Sequence, residues 1–205
     1  MVQSLVVLST IEAEHMAVSE ATKEVLWLTG VLRELRLQQD DSKRLSKLSK
    51  LSYLDLSSNG FSQSVLKLLR VLQALRYLSL EANSIIGQLS DLDTLTFRNL
   101  EVLNSGDNFL SGSIPPSILA LPSLKALSLA HTKFNGSLPP DLCELNKLQE
   151  LDLSENNLKG TLPPCLNNLK NLRLLDLSKN QFTGKLSESL ISGLTAMEYI
   201  DFSNN

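Results

Sequence analysis

The sequence predicts a solenoid, in which stacked coils each add one short strand to a curved parallel β-sheet. A leucine pattern recurs every 24 or 25 residues from residue 51 to residue 205. Within each copy, leucines have the two-residue spacing that places side chains on one face of a strand. An asparagine closes most copies, as is typical where a chain turns off a strand. A fixed period of this length indicates a stack of equivalent units.

The repeated unit reads L-x-x-L-x-L-x-x-N. Its seven copies begin at Leu51, Leu75, Leu100, Leu124, Leu148, Leu172 and Met197. This period and motif are those of leucine-rich repeats. The predicted fold class is therefore a leucine-rich-repeat solenoid over residues 51–205, with about six complete coils and a truncated seventh. Its convex side is expected to be 3-10 helical or irregular.

Two copies depart from the motif at positions that matter for packing. Ser105 stands where the third copy needs a core leucine, so it is expected to give up about 1.5–3 kcal/mol of side-chain burial. Thr132 replaces the closing asparagine of the fourth copy. In the other copies the amide is expected to bond to backbone groups that the stacked coils would otherwise bury unpaired.

The residues between and beside the paired leucines point outward, and they are predicted to form columns on the concave face. The first column contains Tyr53, Tyr77, Val102, Ala126, Glu150, Leu174 and Tyr199. The second contains Asp55, Ser79, Asn104, Ser128, Asp152, Asp176 and Asp201. The third contains Ser57, Glu81, Gly106, Ala130, Ser154, Ser178 and Ser203.

Repeat proteins bind on such extended concave surfaces, and aromatic side chains are common anchors there. We therefore predict a peptide-binding site in which tyrosines give stacking area and carboxylates accept hydrogen bonds from a basic or N-terminal peptide group. Its candidate residues are Tyr53, Asp55, Tyr77, Glu81, Glu150, Asp152, Asp176, Tyr199 and Asp201. The alternative is that the aspartates only cap their own turns or pair with neighbouring coils. His131 is expected to be an exposed variable residue.

Three segments continue the repeat with N-x-L-x-G-x-[IL]-P or part of it: residues 108–116 (NFLSGSIPP), 134–140 (FNGSLPP) and 156–164 (NNLKGTLPP). This pattern resembles the extracellular repeats of plant leucine-rich-repeat receptor-like proteins. The second repeat departs from it, because Gly87 leads into Gln88, Leu89 and Ser90 without a proline. The resemblance implies a non-enzymatic module for defence or developmental signalling, with a protein or peptide ligand, a co-receptor kinase as possible partner, and a place at the cell exterior or plasma membrane.

Charge and hydropathy exclude other classes of function. The net charge is −3 and the pI is near 5.5, which argues against a nucleic-acid footprint. The sequence has no run of 18 or more apolar residues, so no membrane span is predicted. The first ten residues lack a basic region and a cleavage site, so no signal peptide is expected and the localisation stays open. Asn135, in the triplet Asn-Gly-Ser, is a glycosylation acceptor if the chain is secreted.

The two cysteines, Cys143 and Cys165, lie 22 residues apart and so at near-equivalent places in adjacent coils. A disulfide between them is geometrically possible, but sequence spacing does not establish one. Cysteine also behaves as a small hydrophobe, and two buried thiols on the convex side are the favoured interpretation. No metal site and no cofactor is expected.

Residues 1–41 do not keep the repeat. Residues 2–8 predict a strand, and one or two helices follow, with Glu12 three residues after Ser9 as in a capping box. Residues 4–35 resemble the ribonuclease H region of copia-type retrotransposon polyproteins. By that resemblance Glu14 is the helix carboxylate of a two-metal site, but its partner aspartates are missing, so no activity is expected. Residues 42–50 are a polar junction.

Two alternatives to a binding module therefore remain. The chain could be an inactive ribonuclease H-type remnant fused to a receptor fragment. It could also be a partial or chimeric gene product with no evolved function.

Overall fold

The structure is a computed structural model, and it describes residues 45–89, 97–185 and 188–205. A seven-stranded parallel sheet has the order β1-β2-β4-β6-β8-β10-β12. Its strands are β1 (Tyr53–Asp55), β2 (Tyr77–Ser79), β4 (Val102–Asn104), β6 (Ala126–Ser128), β8 (Glu150–Asp152), β10 (Leu174–Asp176) and β12 (Tyr199–Asp201). One strand comes from each predicted copy, so the leucine-rich-repeat solenoid is confirmed.

A second parallel sheet of five strands forms where the chain leaves the closing turns of the second to sixth copies, in the order β3-β5-β7-β9-β11. Its strands are β3 (Ile86–Gly87), β5 (Phe109–Gly112), β7 (Lys133–Gly136), β9 (Asn157–Gly160) and β11 (Gln181–Phe182). The second repeat joins this sheet although it lacks the proline. Gly87 has a φ of 98°, close to the 89° of Gly112, so the turn glycine alone is enough to end the strand here.

The convex side combines short helices of two kinds. Among the described residues, three are α-helical: α1 (Ser64–Leu69), α2 (Pro116–Leu119) and α3 (Glu188–Gly193). In the same part of the chain, two are 3-10 helices, Pro140–Glu144 and Pro164–Asn168. Both 3-10 helices begin at a proline, where the missing N–H would have had no helical partner. The predicted 3-10 character therefore holds for two coils, whereas the other three helices are α-helical.

The core is one continuous leucine stack along the solenoid. The paired core residues of the first six copies, such as Leu54 and Leu56, are buried between neighbouring coils, whereas Ile200 in the last strand is 43% exposed. Ser105 is fully buried at its core position, so the small hydroxyl does replace a leucine inside the stack. Leu45 is also buried, and it joins the end of the stack from within the junction.

The closing asparagines connect each coil to the one before it. The Asn156 amide nitrogen donates to Leu153 O at 3.2 Å in its own turn and to Leu129 O at 2.8 Å in the preceding coil. Its Oδ1 accepts the Phe134 N–H at 2.9 Å. Equivalent bonds are made by Asn83, Asn108, Asn180 and Asn205. The predicted role of the amide is thus confirmed.

The two cysteines form a disulfide, so the favoured prediction of two free buried thiols was wrong. Cys143 lies in one 3-10 helix and Cys165 in the next. Stacking of these helices brings the two Cα atoms to 5.8 Å, inside the range that a disulfide needs. The spacing of 22 residues alone could not fix that distance.

The strand and helices predicted for residues 1–41, with Glu14, lie outside the described residues, as do residues 42–44 of the junction.

Candidate functional site

The strand register places the predicted columns side by side on the concave sheet. Tyr53 pairs with Tyr77, and the column continues through Val102, Ala126, Glu150, Leu174 and Tyr199. The aspartate column runs beside it in the same register, from Asp55 to Asp201. Adjacent strands are about 4.8 Å apart, so the sheet offers a regular ladder of side chains.

Tyr53 and Tyr77 stack on each other. Their ring centroids are 4.1 Å apart and their planes differ by 7°. Tyr77 is only 2% exposed and packs in a small apolar cluster with Val102 and Ala126, whereas Tyr53 is half-buried at the edge of that cluster. Tyr77 therefore supports the face of Tyr53, and Tyr53 keeps the accessible ring of the pair.

The aspartates of the second column accept hydrogen bonds from the turns that follow them in the chain. Asp152 Oδ1 accepts the Ser154 N–H at 3.0 Å and the Ser154 hydroxyl at 2.7 Å. The same two bonds join Asp55 to Ser57 and Asp176 to Ser178, and Asp201 accepts the Ser203 N–H. Asn104 accepts the Gly106 N–H at 3.0 Å in the equivalent place. One carboxylate oxygen thus stabilises the turn, as the alternative interpretation expected.

The pKa values of two members of this column are shifted in opposite directions. Burial raises the pKa of Asp152 above its usual value, and the nearby charge of Asp176 adds to this, although the bonds from Ser154 oppose it. Asp201 lies in the more open last strand, where the bonds from Ser203 hold its pKa below the usual value. Burial and the neighbouring carboxylates also raise the pKa of the Tyr199 hydroxyl.

Exposure divides the candidate residues into two groups. Tyr77, Glu150, Asp152 and Asp176 are buried. The accessible candidates lie toward the two ends of the sheet: Tyr53, Asp55 and Glu81 at one end, and Tyr199 and Asp201 at the other. Six intervals of about 4.8 Å separate β1 from β12, so the two ends of the sheet lie roughly 29 Å apart.

Charged pairs line the edge where β2, β4, β6, β10 and β12 begin, and they were not predicted from the sequence. Glu101 is 11% exposed and binds Arg76 of the preceding coil and Lys125 of the next, with a Lys125 Nζ–Oε2 distance of 2.7 Å. Burial alone would raise the pKa of Glu101, but the two cations outweigh it and lower the pKa below its usual value. Arg173 and Glu198 form a more exposed pair along the same edge. Alternating charge at one repeat position was the signal available in the sequence.

A second row of titratable side chains lies at the opposite edge, one residue before the closing position of the third to sixth copies: Asp107, His131, Glu155 and Lys179. These residues have left-handed backbone conformations, with φ near 50°. His131 Nδ1 lies 3.0 Å from Glu155 Oε2 and 3.8 Å from Asp107 Oδ1, and Glu155 also pairs with Lys179. His131 is exposed as predicted, and its contacts with Asp107 and Glu155 were not predicted from the sequence.

Other kinds of site receive no support from the described residues. Within residues 45–89, 97–185 and 188–205, no three His, Cys, Asp or Glu side chains are grouped as a metal would require. In the same ranges, no helix has the length and apolar character needed to cross a membrane.

Comparison with known proteins agrees with the repeat structure. A leucine-rich-repeat family model matches residues 146–205, and a second leucine-rich-repeat model matches residues 50–72 and 123–145. Receptor-like protein 9a of Arabidopsis thaliana is 42% identical over 73 residues, which are 36% of this chain and 8% of the relative. The chain therefore spans a small fraction of that receptor-like protein.

Solved plant ectodomains have the same fold. The leucine-rich-repeat ectodomain of the Arabidopsis thaliana receptor kinase GASSHO1/SCHENGEN3, in complex with CASPARIAN STRIP INTEGRITY FACTOR 2, is 37% identical with a TM-score of 0.72, over 78% of this chain and 19% of that chain. The Arabidopsis HAESA structure, with the peptide hormone IDA and the co-receptor SERK1, is 28% identical with a TM-score of 0.69, over 82% and 34%. The BIR3–SERK2 complex from Arabidopsis thaliana gives 31% identity and a TM-score of 0.56, over 64% and 69%. The chain belongs to the leucine-rich-repeat proteins, and its coils are similar to those of plant receptor ectodomains.

Proposed function

We propose that this chain is a non-enzymatic binding module that recognises an extended peptide along its concave sheet, on the extracellular side of a plant membrane. The observation that carries the proposal is the in-register concave sheet, with accessible tyrosine and carboxylate side chains at both ends. Rigid strands hold these side chains at fixed intervals, which reduces the ordering cost of binding an extended partner.

The dimensions of the sheet favour a short peptide. A ligand that reaches from Tyr53 to Tyr199 must span roughly 29 Å, which an extended chain covers with about nine residues. Tyr53 would stack against an apolar or planar peptide side chain, since Tyr77 supports its other face. Asp55 keeps an oxygen beyond the one that binds Ser57, and that oxygen can accept from a cationic group. Asp201 Oδ2 already accepts the Tyr199 hydroxyl at 3.3 Å, so at that end a cationic group would share this oxygen with Tyr199.

Structures of similar proteins support a peptide ligand and a second protein. The GASSHO1/SCHENGEN3 ectodomain is in complex with CASPARIAN STRIP INTEGRITY FACTOR 2, and HAESA is in complex with a peptide hormone and a co-receptor. By analogy, the peptide on this chain would be presented to a co-receptor kinase ectodomain.

Peptide binding by the full chain tests the proposal. We would measure fluorescence anisotropy with two pools of labelled nonapeptides, one rich in Lys and Arg and one rich in Asp and Glu, each with a free or an acetylated N-terminus. The basic, free-amine pool should bind most tightly, and Tyr53→Ala and Asp55→Asn should each weaken it about tenfold, the effect of roughly 1.4 kcal/mol. Lys159→Ala, on the second sheet, is the matched control and should bind normally. Equal binding of both pools, or full binding by both concave variants, would reject the concave site.

A second hypothesis concerns residues 1–41, which we propose are an inactive ribonuclease H-type remnant. The ordered match over residues 4–35 favours it. One carboxylate, Glu14, is too few to hold two divalent ions, so the full chain should not cleave an RNA–DNA hybrid in the presence of Mg²⁺ or Mn²⁺. Metal-dependent cleavage that disappears in Glu14→Gln would contradict the inactive assignment.

A further inference from the structure

The outer face of the second sheet, which we call the lateral face, has an unusual composition. Its outward side chains are Ile86, Phe109, Ser111, Lys133, Asn135, Asn157, Lys159 and Gln181. None of these is acidic, although the chain has 22 acidic residues. Seven residues line a shallow open depression of about 780 Å³ on this face: Ser111, Lys133, Asn135, Gly136, Asn157, Lys159 and Gln181. Amide, hydroxyl and ammonium groups therefore surround the depression.

Asn135 lies within this depression on β7. Its side chain is exposed, and its backbone is in register with Asn157 of β9. Gly136 and Ser137 follow it, which completes the Asn-x-Ser acceptor triplet for N-linked glycosylation. A Cβ added at Gly136 would have no heavy atom outside its chain neighbours within 4 Å, and Ser137 is exposed. A bulky group on the Asn135 amide therefore fits the folded chain without displacing any part of the core.

The disulfide gives an independent indication of the compartment. The chain has two cysteines, and they are joined to each other between adjacent 3-10 helices. Disulfides form and persist in oxidising compartments such as the lumen of the endoplasmic reticulum and the cell exterior. N-linked glycans are added to secreted chains along the same route. The disulfide and the acceptor triplet both fit a secreted chain, and neither depends on the concave site.

We infer that Asn135 carries an N-linked glycan that stands over the lateral face. In the transfer, the Asn135 amide nitrogen bonds to the anomeric carbon of a lipid-linked oligosaccharide and loses a proton. The bond from that carbon to the pyrophosphate oxygen breaks, and the lipid pyrophosphate leaves with the electron pair. In the folded chain, Asn157, Lys159 and Gln181 offer hydrogen-bond partners to the first sugars.

The glycan has a consequence for recognition. A bulky hydrated group on Asn135 closes the lateral face to a second protein, so partners are directed to the concave sheet and its edges. The inference shares the extracellular location with the proposed function, but it does not use the peptide site. Loss of the glycan should therefore leave nonapeptide binding unchanged.

Glycosylation of the translocated chain tests the inference. The full chain is translated behind a cleavable signal peptide in the presence of microsomes, and only the protease-protected fraction is scored. We expect a mobility shift that peptide N-glycosidase removes, that Asn135→Gln and Ser137→Ala abolish, and that Ser137→Thr retains. A protected chain with unmodified Asn135 would overturn the inference.

A matched variant shows whether the transferase reaches this face. Lys159→Thr creates an acceptor triplet that begins at Asn157, on the adjoining strand, and should add a second glycan. If this variant gains only the glycan at Asn157 while Asn135 stays unmodified, the site is rejected for a reason specific to Asn135. Intact peptide binding by Asn135→Gln then separates a failure here from a failure of the concave site.

Discussion

Asp152 accepts two hydrogen bonds from Ser154, at 3.0 Å from the backbone N–H and at 2.7 Å from the hydroxyl, while it is only 2% exposed. The turn that follows Asp152 therefore holds its buried carboxylate in place. Asp152 also lies beside the equivalent carboxylate of the next coil, Asp176. The turn geometry is common to the column, but the cost of the charge depends on how deeply each member is buried.

Asp152→Asn should therefore stabilise the chain at neutral pH. An amide oxygen can accept the same bonds, as Asn104 does from Gly106, but it carries no buried charge. We expect a gain of about 1 kcal/mol, or roughly 3 °C in Tm. The folded pKa of Asp152 lies above its usual value of 3.8, so the wild type loses stability as pH rises through the folded pKa. The gain should thus vanish below about pH 4 in thermal melts. Asp201→Asn is the control, and an equal gain there would contradict the burial argument.

Glu101→Gln should have the opposite pH dependence. The pKa of Glu101 lies below its usual value of 4.5, so its ion pairs stabilise the fold above that pH and are lost as pH falls through the folded pKa. We expect a cost of about 1–2 kcal/mol in urea unfolding at pH 7, since the carboxylate is mostly shielded from water. The difference from wild type should shrink below pH 4.5. Glu198→Gln, in a pair that is 63% exposed on the glutamate side, should cost much less.

Thr132→Asn should complete the asparagine ladder. Thr132 has a single donor, which bonds to Leu129 O at 3.0 Å and to Asn156 Oδ1 at 2.6 Å. An amide at this position can also reach back to the preceding coil, as Asn156 does. Two added hydrogen bonds should raise the free energy of unfolding by about 1–2 kcal/mol. Thr132→Val gives the reverse test by chemical denaturation: it removes the donor and should destabilise. If both variants unfold like wild type, the ladder does not govern stability here.

Gly193→Ala should destabilise the convex side. A Cβ at Gly193 would lie 2.4 Å from Asn167 Cβ, 2.6 Å from Asn167 O and 2.8 Å from Asn167 Cα. Two of those atoms are backbone, so α3 must move away from the 3-10 helix Pro164–Asn168, at a cost of about 1–3 kcal/mol. Gly60→Ala is the control, because nothing lies within 4 Å of its Cβ position and its φ is not positive. Differential scanning calorimetry should give a lower Tm for the first variant and little change for the second.

The repeat pattern was enough to predict the columns of the concave face. Leu54 and Leu56 identify the inner face, so Tyr53 and Asp55 must point outward, and the 24- or 25-residue period then aligns them with Tyr77 and Ser79. The closing asparagines followed from the same logic, because a turn off a strand leaves backbone groups that an amide can satisfy. The direction of a strand side chain and the role of a closing asparagine depend only on neighbouring residues and on the stacking contact that every pair of coils repeats.

Other features depend on how particular coils stack. Whether Tyr77 is exposed is set by Tyr53, Val102 and Ala126 around it, and not by its place in the motif. The pairing of Cys143 with Cys165 required two 3-10 helices to bring their Cα atoms to 5.8 Å. The ion pairs of Glu101 join three coils, and each partner looks like an ordinary surface charge in the sequence.

By itself, then, the sequence determined the solenoid, its register and the direction in which each strand residue points, because a period of fixed length leaves only one way to stack the leucines. The tertiary structure decided which of those outward residues stay accessible, which cysteines and charges meet, and how burial shifts each carboxylate. These depend on distances of a few ångströms between residues that lie 22 to 25 positions apart, and no local pattern specifies such distances.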